Sequence, residues 1–466
     1  MEINFDKKYE FNFNDGDENV LKLENGLSEN IVSKISKIKN ESEWLLKSRL
    51  NAYKVFCDKK NPKWGPDLNF IDFNEYIYYV KPSDSMVDDW DKVPEKIRNT
   101  FNRLKIPENE AKFLNGVATQ YDSEMVYHSI LEELKSKNVI FTDPNTAAKE
   151  YPELFQKYFG KLVPAADNKY AALNTSVWSG GTFIYVPKNV KVEKPLQSYF
   201  RINSKNAGQF ERTLIIVDEG ASLHYIEGCT APIYDKNNLH AAVVEVFVHK
   251  NATCRYTTIQ NWSDNVLNLV TKRAICYENA KMSWIDGNMG SKINMKYPCT
   301  ILKGDYSASE CISIAIANTN IIQDAGAKMI HLGKYTKSKI ISKGISVNNG
   351  KNTYRGYVKI AKNAIGSKSY VKCDNLLIGN DAKSDAIPVE ILQNNSSQLI
   401  HEATISKISN EQLFYLMLKG ISKEKAESLI TIGFINDFAN ELPMEYAVEL
   451  NQLIKLDMEN NYGTNK

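Results

Sequence analysis

The sequence predicts a mainly β protein, a right-handed parallel β-helix core flanked by N-terminal and C-terminal helical regions. Three observations carry that expectation. Between about Lys169 and Gln393 the chain consists of short apolar runs rich in Val, Ile, Tyr and Thr, the composition of strands. Brief polar turns carrying a small residue separate these runs and recur at a nearly constant interval. On either side of this stretch, apolar residues fall at helix spacing instead.

Region 1–168 reads as mostly helical. Ser28 opens a stretch with Ile31, Val32, Ile35 and Ile38 on one face. Asn40 and Glu43 have the spacing of a capping box ahead of Trp44, Leu45, Leu50, Tyr53 and Phe56. Pro62, Pro66 and Pro82 interrupt the pattern, and the acidic tract 84–91 reads as an exposed loop. Further helices fit 124–135 and 150–159.

Region 169–405 is the β core. Its strand-like runs include 182–186, 213–217, 241–248, 256–259, 312–317, 339–341, 357–360 and 376–378. The interval between small turn residues is 31 from Ala221 to Ala252, 28 from Ala252 to Ala280 and 28 from Thr336 to Ala364. From Ala280 to Thr336 the interval is 56, with Ser307 and Ala308 near its middle. Such a period, filled by strands without helices, is that of stacked coils whose apolar faces only neighbouring coils can bury. An antiparallel sandwich with turns recurring by chance is the alternative at this point.

Region 406–466 turns helical again. Ser409 precedes Leu413, Phe414, Leu416 and Met417; Ser422 opens a run with Ala426, Leu429 and Ile430; Pro443 starts one with Tyr446, Val448, Leu450, Leu453 and Ile454. These faces either cap the last coil or form a platform for a partner.

Composition narrows the function. With 43% hydrophobic and 24% charged residues the chain has the balance of a folded protein, and its net charge of +2 steers it towards no nucleic acid. No apolar run approaches the roughly 18–20 residues needed to cross a bilayer, and residues 1–8 show no apolar signal region. A cytoplasmic protein without membrane or nucleic-acid partners is expected. The seven cysteines are odd in number, widely spaced and contain no C-x-x-C pair. Neither a disulfide framework nor a clustered-cysteine metal site fits, so a metal would take ligands from distant parts of the chain or from a partner. Phosphate-loop, His-Glu-x-x-His and Gly-x-Ser-x-Gly signatures are missing, which favours a scaffold over an enzyme.

Cys276, Cys299 and Cys311 lie in apolar strand contexts and read as buried structural thiols, as does Cys57 beside Phe56. Cys254, at a turn, reads either way. Cys229 lies between Gly228 and Thr230 with Pro232 beyond, a context that makes a thiol accessible. Cys373 lies between Lys372, which favours a thiolate, and Asp374, which opposes it. His401 stands beside Glu402 and follows Cys373 at an interval of 28, one repeat. Coils stacked in register would bring Cys373 and His401 to neighbouring rungs, and thiolate, imidazole and carboxylate make a mixed ligand set. Successive strand residues point to opposite faces, however, so His401 and Glu402 could share Cys373's site only at a bend or edge.

The motifs GTFIYVPK (181–188), YFRIN (199–203), GQFER (208–212), YIEGCTAP (225–232), LHAAVVE (239–245), QNW (260–262), VTKR (270–273), DAGAKMIH (324–331), YRG (354–356), HEA (401–403), EQLFY (411–415) and ELPMEYA (441–447) resemble the SufB/SufD family of the Suf iron–sulfur cluster assembly system. The resemblance runs from about Asn40 to Leu456. It implies a β-helix scaffold for de novo iron–sulfur cluster assembly. The cluster would be transient and of the 4Fe–4S type, with reduced flavin (FADH2) as a cofactor. Implied partners are the SufC ATPase on the C-terminal helices, SufD or a second SufB, and a cysteine desulfurase with its sulfur-transfer protein. By the same resemblance, sulfur enters at Cys229, in a region associated with Arg201 and Asn203, and passes through the β-helix to Cys373. Cys373, His401 and Glu402 then hold iron and the growing cluster at an interface between subunits. Family members often carry an acidic residue just before the His-Glu pair. Here it is Ile400, which leaves Glu402 as the carboxylate candidate.

Two rival readings remain. A β-helix polysaccharide lyase needs paired carboxylates facing a groove, and no matching acidic cluster is visible. A purely structural SufD-like partner would not need both Cys229 and Cys373.

Overall fold

Two long sheets of parallel strands face each other down the core. The computed structural model describes residues 19–83, 86–103, 114–231 and 237–441. In the first sheet, strands Leu196–Arg201, Ser222–Thr230, Thr253–Asn261, Lys281–Met289, Ala308–Ala317, Lys337–Val347, Lys368–Ile378 and Gln398–Lys407 pair in sequence. The second sheet runs likewise from Phe183–Val186 to Lys383–Leu392. Each coil gives one rung to each sheet, and every one of these pairings is parallel. The core is therefore a β-helix and not an antiparallel sandwich.

Register partners measure the coils: the offset is 31 from Ser222 to Thr253, 27 from Lys281 to Ala308 and 30 from Lys368 to Gln398. The turn signal has a simple cause. Gly220, Asn251, Asn279, Tyr306 and Tyr335 adopt φ of 68°, 57°, 54°, 59° and 55°. Each directly precedes a small residue (Ala221, Ala252, Ala280, Ser307 and Thr336) that is fully buried. The left-handed residue swings the chain round, and the next side chain must be small to fit inside the corner.

Between the sheets lies an apolar interior with Tyr225, Tyr256, Trp284, Cys311, Ile340 and Val371 on consecutive rungs. The Tyr225–Tyr256 and Tyr256–Trp284 rings lie 5.0 and 5.3 Å apart.

At the N-terminal end the stack is closed. Sheet pairing begins upstream of residue 169, because Gly116–Tyr121 pairs in parallel with Leu196–Arg201. Glu124–Ile130, expected to be helical, pairs antiparallel with Gly116–Tyr121 and ends that sheet. Helix is confined there to Glu132–Ser136. Pairing with an open sheet edge outweighs the local helical pattern, as tertiary context commonly does. Helices Glu29–Ile38 and Glu43–Asp58 cover the flank against Lys169–Val177, itself helical. Ser28 caps the first of these as expected. The second starts from Ser42, while Asn40 takes a positive φ of 49°. Buried Arg49 ties these pieces together through Glu41 at 2.6 Å and the carbonyls of Ser176 and Trp178.

The C-terminal end is open. Ile387, Val389, Leu392, Ile400 and Ile405 of the last coil are exposed, and both final strands have a free edge among the described residues. Neither of the two described C-terminal helices caps this coil. Helix Lys423–Ala439 runs along the outside of the first sheet, setting Ile435 and Phe438 against Ile226, Ile285, Ile312 and Ile314. Helix Asn410–Leu418 buries no residue and leaves Phe414, Tyr415, Met417 and Leu418 in solvent. The helix expected from Pro443 lies outside the described residues, as do positions 84–85 of the acidic tract.

Candidate functional site

Because strand residues alternate faces, every second side chain of the first sheet points into the coil. One inward row reads Glu227, Thr258, Asp286, Ser313, Ser342 and Cys373, each the register partner of the next. Cys229 lies two residues beyond Glu227 on the same face, its Sγ 4.0 Å from Glu227 Oε1. Five rung steps of about 4.8 Å put the two ends of this polar row about 24 Å apart. Ser313 and Ser342 hydroxyls hydrogen-bond at 3.3 Å midway.

At the Cys229 end the row widens into a buried ionic cluster. Lys272 Nζ lies 3.7 Å from Glu227 and 3.6 Å from Asp286, and donates to Thr258 Oγ1 at 2.5 Å. Lys296 Nζ lies 3.3 Å from Asp286 and donates to Gln260 Oε1 at 3.0 Å. Tyr256 donates its hydroxyl to Glu227. Neither ammonium side chain is exposed. Burial pulls Lys296 down to about 8, against the attraction of Asp286. Asp286 stays below the usual carboxylate range: burial pushes it up, but Lys296 and Lys272 hold it down. The network continues through Asn268, which donates to Gln260 and Asn294, to His240 and on to Glu211, 2.7 Å from His240 Nε2.

Cys229 is 1% exposed, packed with Phe200, Ile202, Ala231 and Trp262. The accessibility expected from Gly228 and Pro232 is not realised at the sulfur, because Cys229 faces into the coil; Pro232 itself lies outside the described residues. Burial, then the Glu227 carboxylate, pushes its thiol well above the usual range. Arg201 and Asn203 are buried nearby. Arg201 donates to Thr230 at 3.2 Å, and the Asn203 backbone N–H donates to Asp122 at 2.7 Å.

At the other end Cys373 is 1% exposed and accepts a hydrogen bond from Asn375 Nδ2 at 3.3 Å. Burial pushes its thiol up to about 11. Lys372 and Asp374 point to the opposite face, where they pair with each other at 3.4 Å.

The register offset here is 30, so Cys373 faces Ala403 and His401 faces Val371. The one-repeat alignment of Cys373 with His401 is therefore off by two positions, which keeps both side chains on the inner face. Glu402 falls on the outer face opposite Lys372 and is exposed. Alternation separates it from Cys373, and no bend or edge brings it back.

The carboxylate that does meet His401 comes from the second sheet. Glu390 Oε1 lies 2.6 Å from His401 Nδ1. His401 Nε2 is buried with no hydrogen-bond partner, and so is the hydroxyl of Tyr354, whose ring lies 6.4 Å from the imidazole. A carboxylate holding one ring nitrogen leaves the other free to bind a metal. Among the described residues no group of three His, Cys, Asp or Glu side chains is gathered as a complete metal site.

Glu390 and Lys296 were not singled out in the sequence, and Tyr354 stood there only as part of the YRG motif. Glu390 becomes visible only when 354–360 and 383–392 are known to be adjacent rungs. Of the other thiols, Cys254, Cys276, Cys299 and Cys311 are buried, and burial raises each of them, Cys254 to about 12. Cys57 is exposed, contrary to expectation: on helix Glu43–Asp58 it points away from the side that buries Phe56.

The β-helix thus holds one buried thiol at its closed end and, at its open end, a second buried thiol and an imidazole whose Nε2 has no partner, groups compatible with binding a metal. The chain matches two family models: the SufBD core domain of SUF-system FeS cluster assembly over residues 200–434, and the SufBD protein N-terminal region over 93–198. It is 56% identical over 455 residues to an iron-sulfur cluster assembly SufBD family protein of Staphylococcus aureus (strain MRSA252), covering 98% of both chains. A family member from Staphylococcus epidermidis (strain ATCC 12228) is 55% identical over the same length. The chain belongs to the SufBD family of iron–sulfur cluster assembly proteins.

Proposed function

We propose that this chain is the scaffold on which an iron–sulfur cluster is built, accepting sulfur at Cys229 and assembling it with iron at Cys373. The observation that supports this best is the unbroken inward row from Glu227 beside Cys229 to Cys373. A hydrophobic interior would have been simpler to stabilise, since buried charges gain less from pairing than they lose in desolvation. The Lys272–Asp286–Lys296 cluster suits the passage of an anion such as hydrosulfide.

Cys229 takes the outer sulfur of a donor persulfide: its sulfur bonds to that atom, the donor thiolate leaves, and the Cys229 proton goes to the donor. Releasing that sulfur from the persulfide as hydrogen sulfide consumes an electron pair and two protons and restores the thiol. Reduced flavin supplies the electron pair when bound. At the open end Cys373 Sγ and His401 Nε2 offer iron two ligands from inside the coil, Glu390 orients the imidazole, and Glu402 faces outward towards a partner. The cluster, of 4Fe–4S type on this reading, is cargo handed to target proteins.

Partners follow from surfaces. Free strand edges and exposed Ile387, Val389, Ile400 and Ile405 at the last coil call for a second β-helix, SufD or another SufB, which would complete the ligand set. Exposed Phe414, Tyr415, Met417 and Leu418 offer a surface to the SufC ATPase, whose hydrolysis would supply the energy this chain does not. A cysteine desulfurase with its sulfur-transfer protein delivers the sulfur, in the cytoplasm. Cys373→Ser should purify folded yet fail to hold a cluster after anaerobic reconstitution with the partner subunit. Wild-type cluster absorbance in that variant would sink the assignment.

A further inference from the structure

On the flank of the β-helix a cleft of about 440 Å³ opens between the end of helix Glu43–Asp58, the start of helix Lys169–Val177 and the outer face of strand Val266–Cys276. That volume falls within the range of small-molecule sites. The cleft lies outside the sulfur row, although the two meet at Lys272. Lys272 points its ammonium inward to Asp286, and Arg273, next in sequence, faces the cleft.

The lining is strongly cationic. Three of its charges are used: Lys272 turns inward to Glu227 and Asp286, Lys169 Nζ donates to the carbonyls of Phe56 and Lys59 at 2.9 and 2.6 Å, and Arg273 pairs with Asp167 at 2.7 Å. Asp167 is the only carboxylate lining the cleft among the described residues. Among those same residues Lys59, Lys60 and Lys328 have no ion-pair partner, so the cleft carries surplus positive charge.

An aromatic surface sits beside it. The Trp64 indole is 47% exposed, yet it is fixed by the Tyr297 ring at 5.6 Å and the Arg355 guanidinium at 5.4 Å. Asp324 anchors both supports, accepting from the Tyr297 hydroxyl at 2.7 Å and from Arg355 at 2.8 Å. Lys328 lies over the Tyr297 ring at 5.4 Å. An exposed ring held in place by a buried anchor is a preorganised stacking surface, and the free lysines are what a phosphate needs beside it.

We propose that this cleft binds a nucleotide, stacking a planar heteroaromatic ring on the exposed Trp64 indole, which Tyr297 supports edge-on, and placing its phosphate among Lys59, Lys60 and Lys328. Flavin and adenine nucleotides share this chemistry, a flat ring at one end and a phosphate at the other. A flavin in this cleft deepens the proposed function and rests on it, whereas nucleotide binding is read without sulfur transfer, so failure of one leaves the other standing.

The test is equilibrium titration of the full chain with FMN, FAD, ADP, ATP and inorganic pyrophosphate. At least one nucleotide should saturate at one site per chain. Trp64→Ala should weaken it by about tenfold or more, the scale of a lost stacking contact, and so should the double variant Lys60→Glu with Lys328→Glu. Both variants should keep the wild-type thermal midpoint, since Trp64 and Lys60 lie outside the core. Preference for flavins or for adenine nucleotides tells which ring the cleft takes, and either supports the proposal. Pyrophosphate binding as tightly as any nucleotide, indifference to both variants, or no saturation at millimolar concentration would overturn it.

Discussion

The two ends of the inward row are built on opposite principles. Around Cys229 every charge is buried and paired, and helices and a hairpin close the end of the stack. Around Cys373 the charges thin out, His401 Nε2 and the Tyr354 hydroxyl have no partner, and the next coil is bare. The first end can hold and stabilise an anion without admitting water. The second has spare donor atoms and an unpaired sheet edge, so it is finished only when something else arrives. On the proposed function this asymmetry suits a chain that takes sulfur in at one end and joins it to iron at the other.

The sharpest way to break the comparison is to remove one charge at each end. Lys272→Met leaves Glu227 and Asp286 short of a cation in the core, and losing one partner of a buried pair costs about 3–5 kcal/mol. Denaturant unfolding should register that loss. Glu390→Gln, at the half-exposed end, should cost less than about 1 kcal/mol. Equal costs would mean the two ends do not differ in the way described.

A smaller but more specific effect concerns iron. Because Glu390 only orients His401, Glu390→Gln should weaken iron retention in the reconstituted complex by about tenfold, the usual scale for such outer partners. His401→Ala should weaken it more, while Glu402→Gln, on the outer face, should weaken it least. A ranking with Glu402 first would return that residue to the ligand set and place the site across the interface.

The third contrast is in pH. Folding lowers Lys296 to about 8 from its ordinary value near 10.4. Between those values the unfolded chain binds more protons than the folded one, so stability should rise with pH through this window. The cation available to hydrosulfide disappears over the same range, so sulfur passage should fall as pH rises through about 8. Lys296→Met should flatten both trends. Sulfur passage that holds steady from pH 7 to 9.5 would remove Lys296 from the path.

Much of this architecture could be read from the chain. The spacing of Ala221, Ala252, Ala280 and Thr336 marked the coils, since each is the small residue a tight corner needs. The thiols at 229 and 373 stood out by motif. Side-chain direction was less legible. The register offset varies between 27 and 31 in the first sheet alone, and a shift of two moved His401 off Cys373, while the period-two alternation sent Glu402 outward. Glu390 carries no local signal at all; it matters only because the second sheet brings it across the coil. Glu124–Ile130 looked helical by local pattern, and its strand is set by the edge it covers. Long-range pairing decided these features, and a single sequence records it only faintly.

The central claim is that Cys229 and Cys373 are joined through the inside of the coil. The direct measurement loads the complex with iron and with radiolabelled sulfur from a cysteine desulfurase, and follows the label from the persulfide on the Cys229 peptide to acid-labile sulfide in the cluster held at Cys373. Wild type should pass label from the Cys229 persulfide to that cluster sulfide. Ser313→Leu, which blocks the row midway, should leave it on Cys229 while the thermal midpoint stays near wild type. Label reaching the cluster sulfide as fast in Ser313→Leu, or in Cys229→Ser, as in wild type would contradict an interior path.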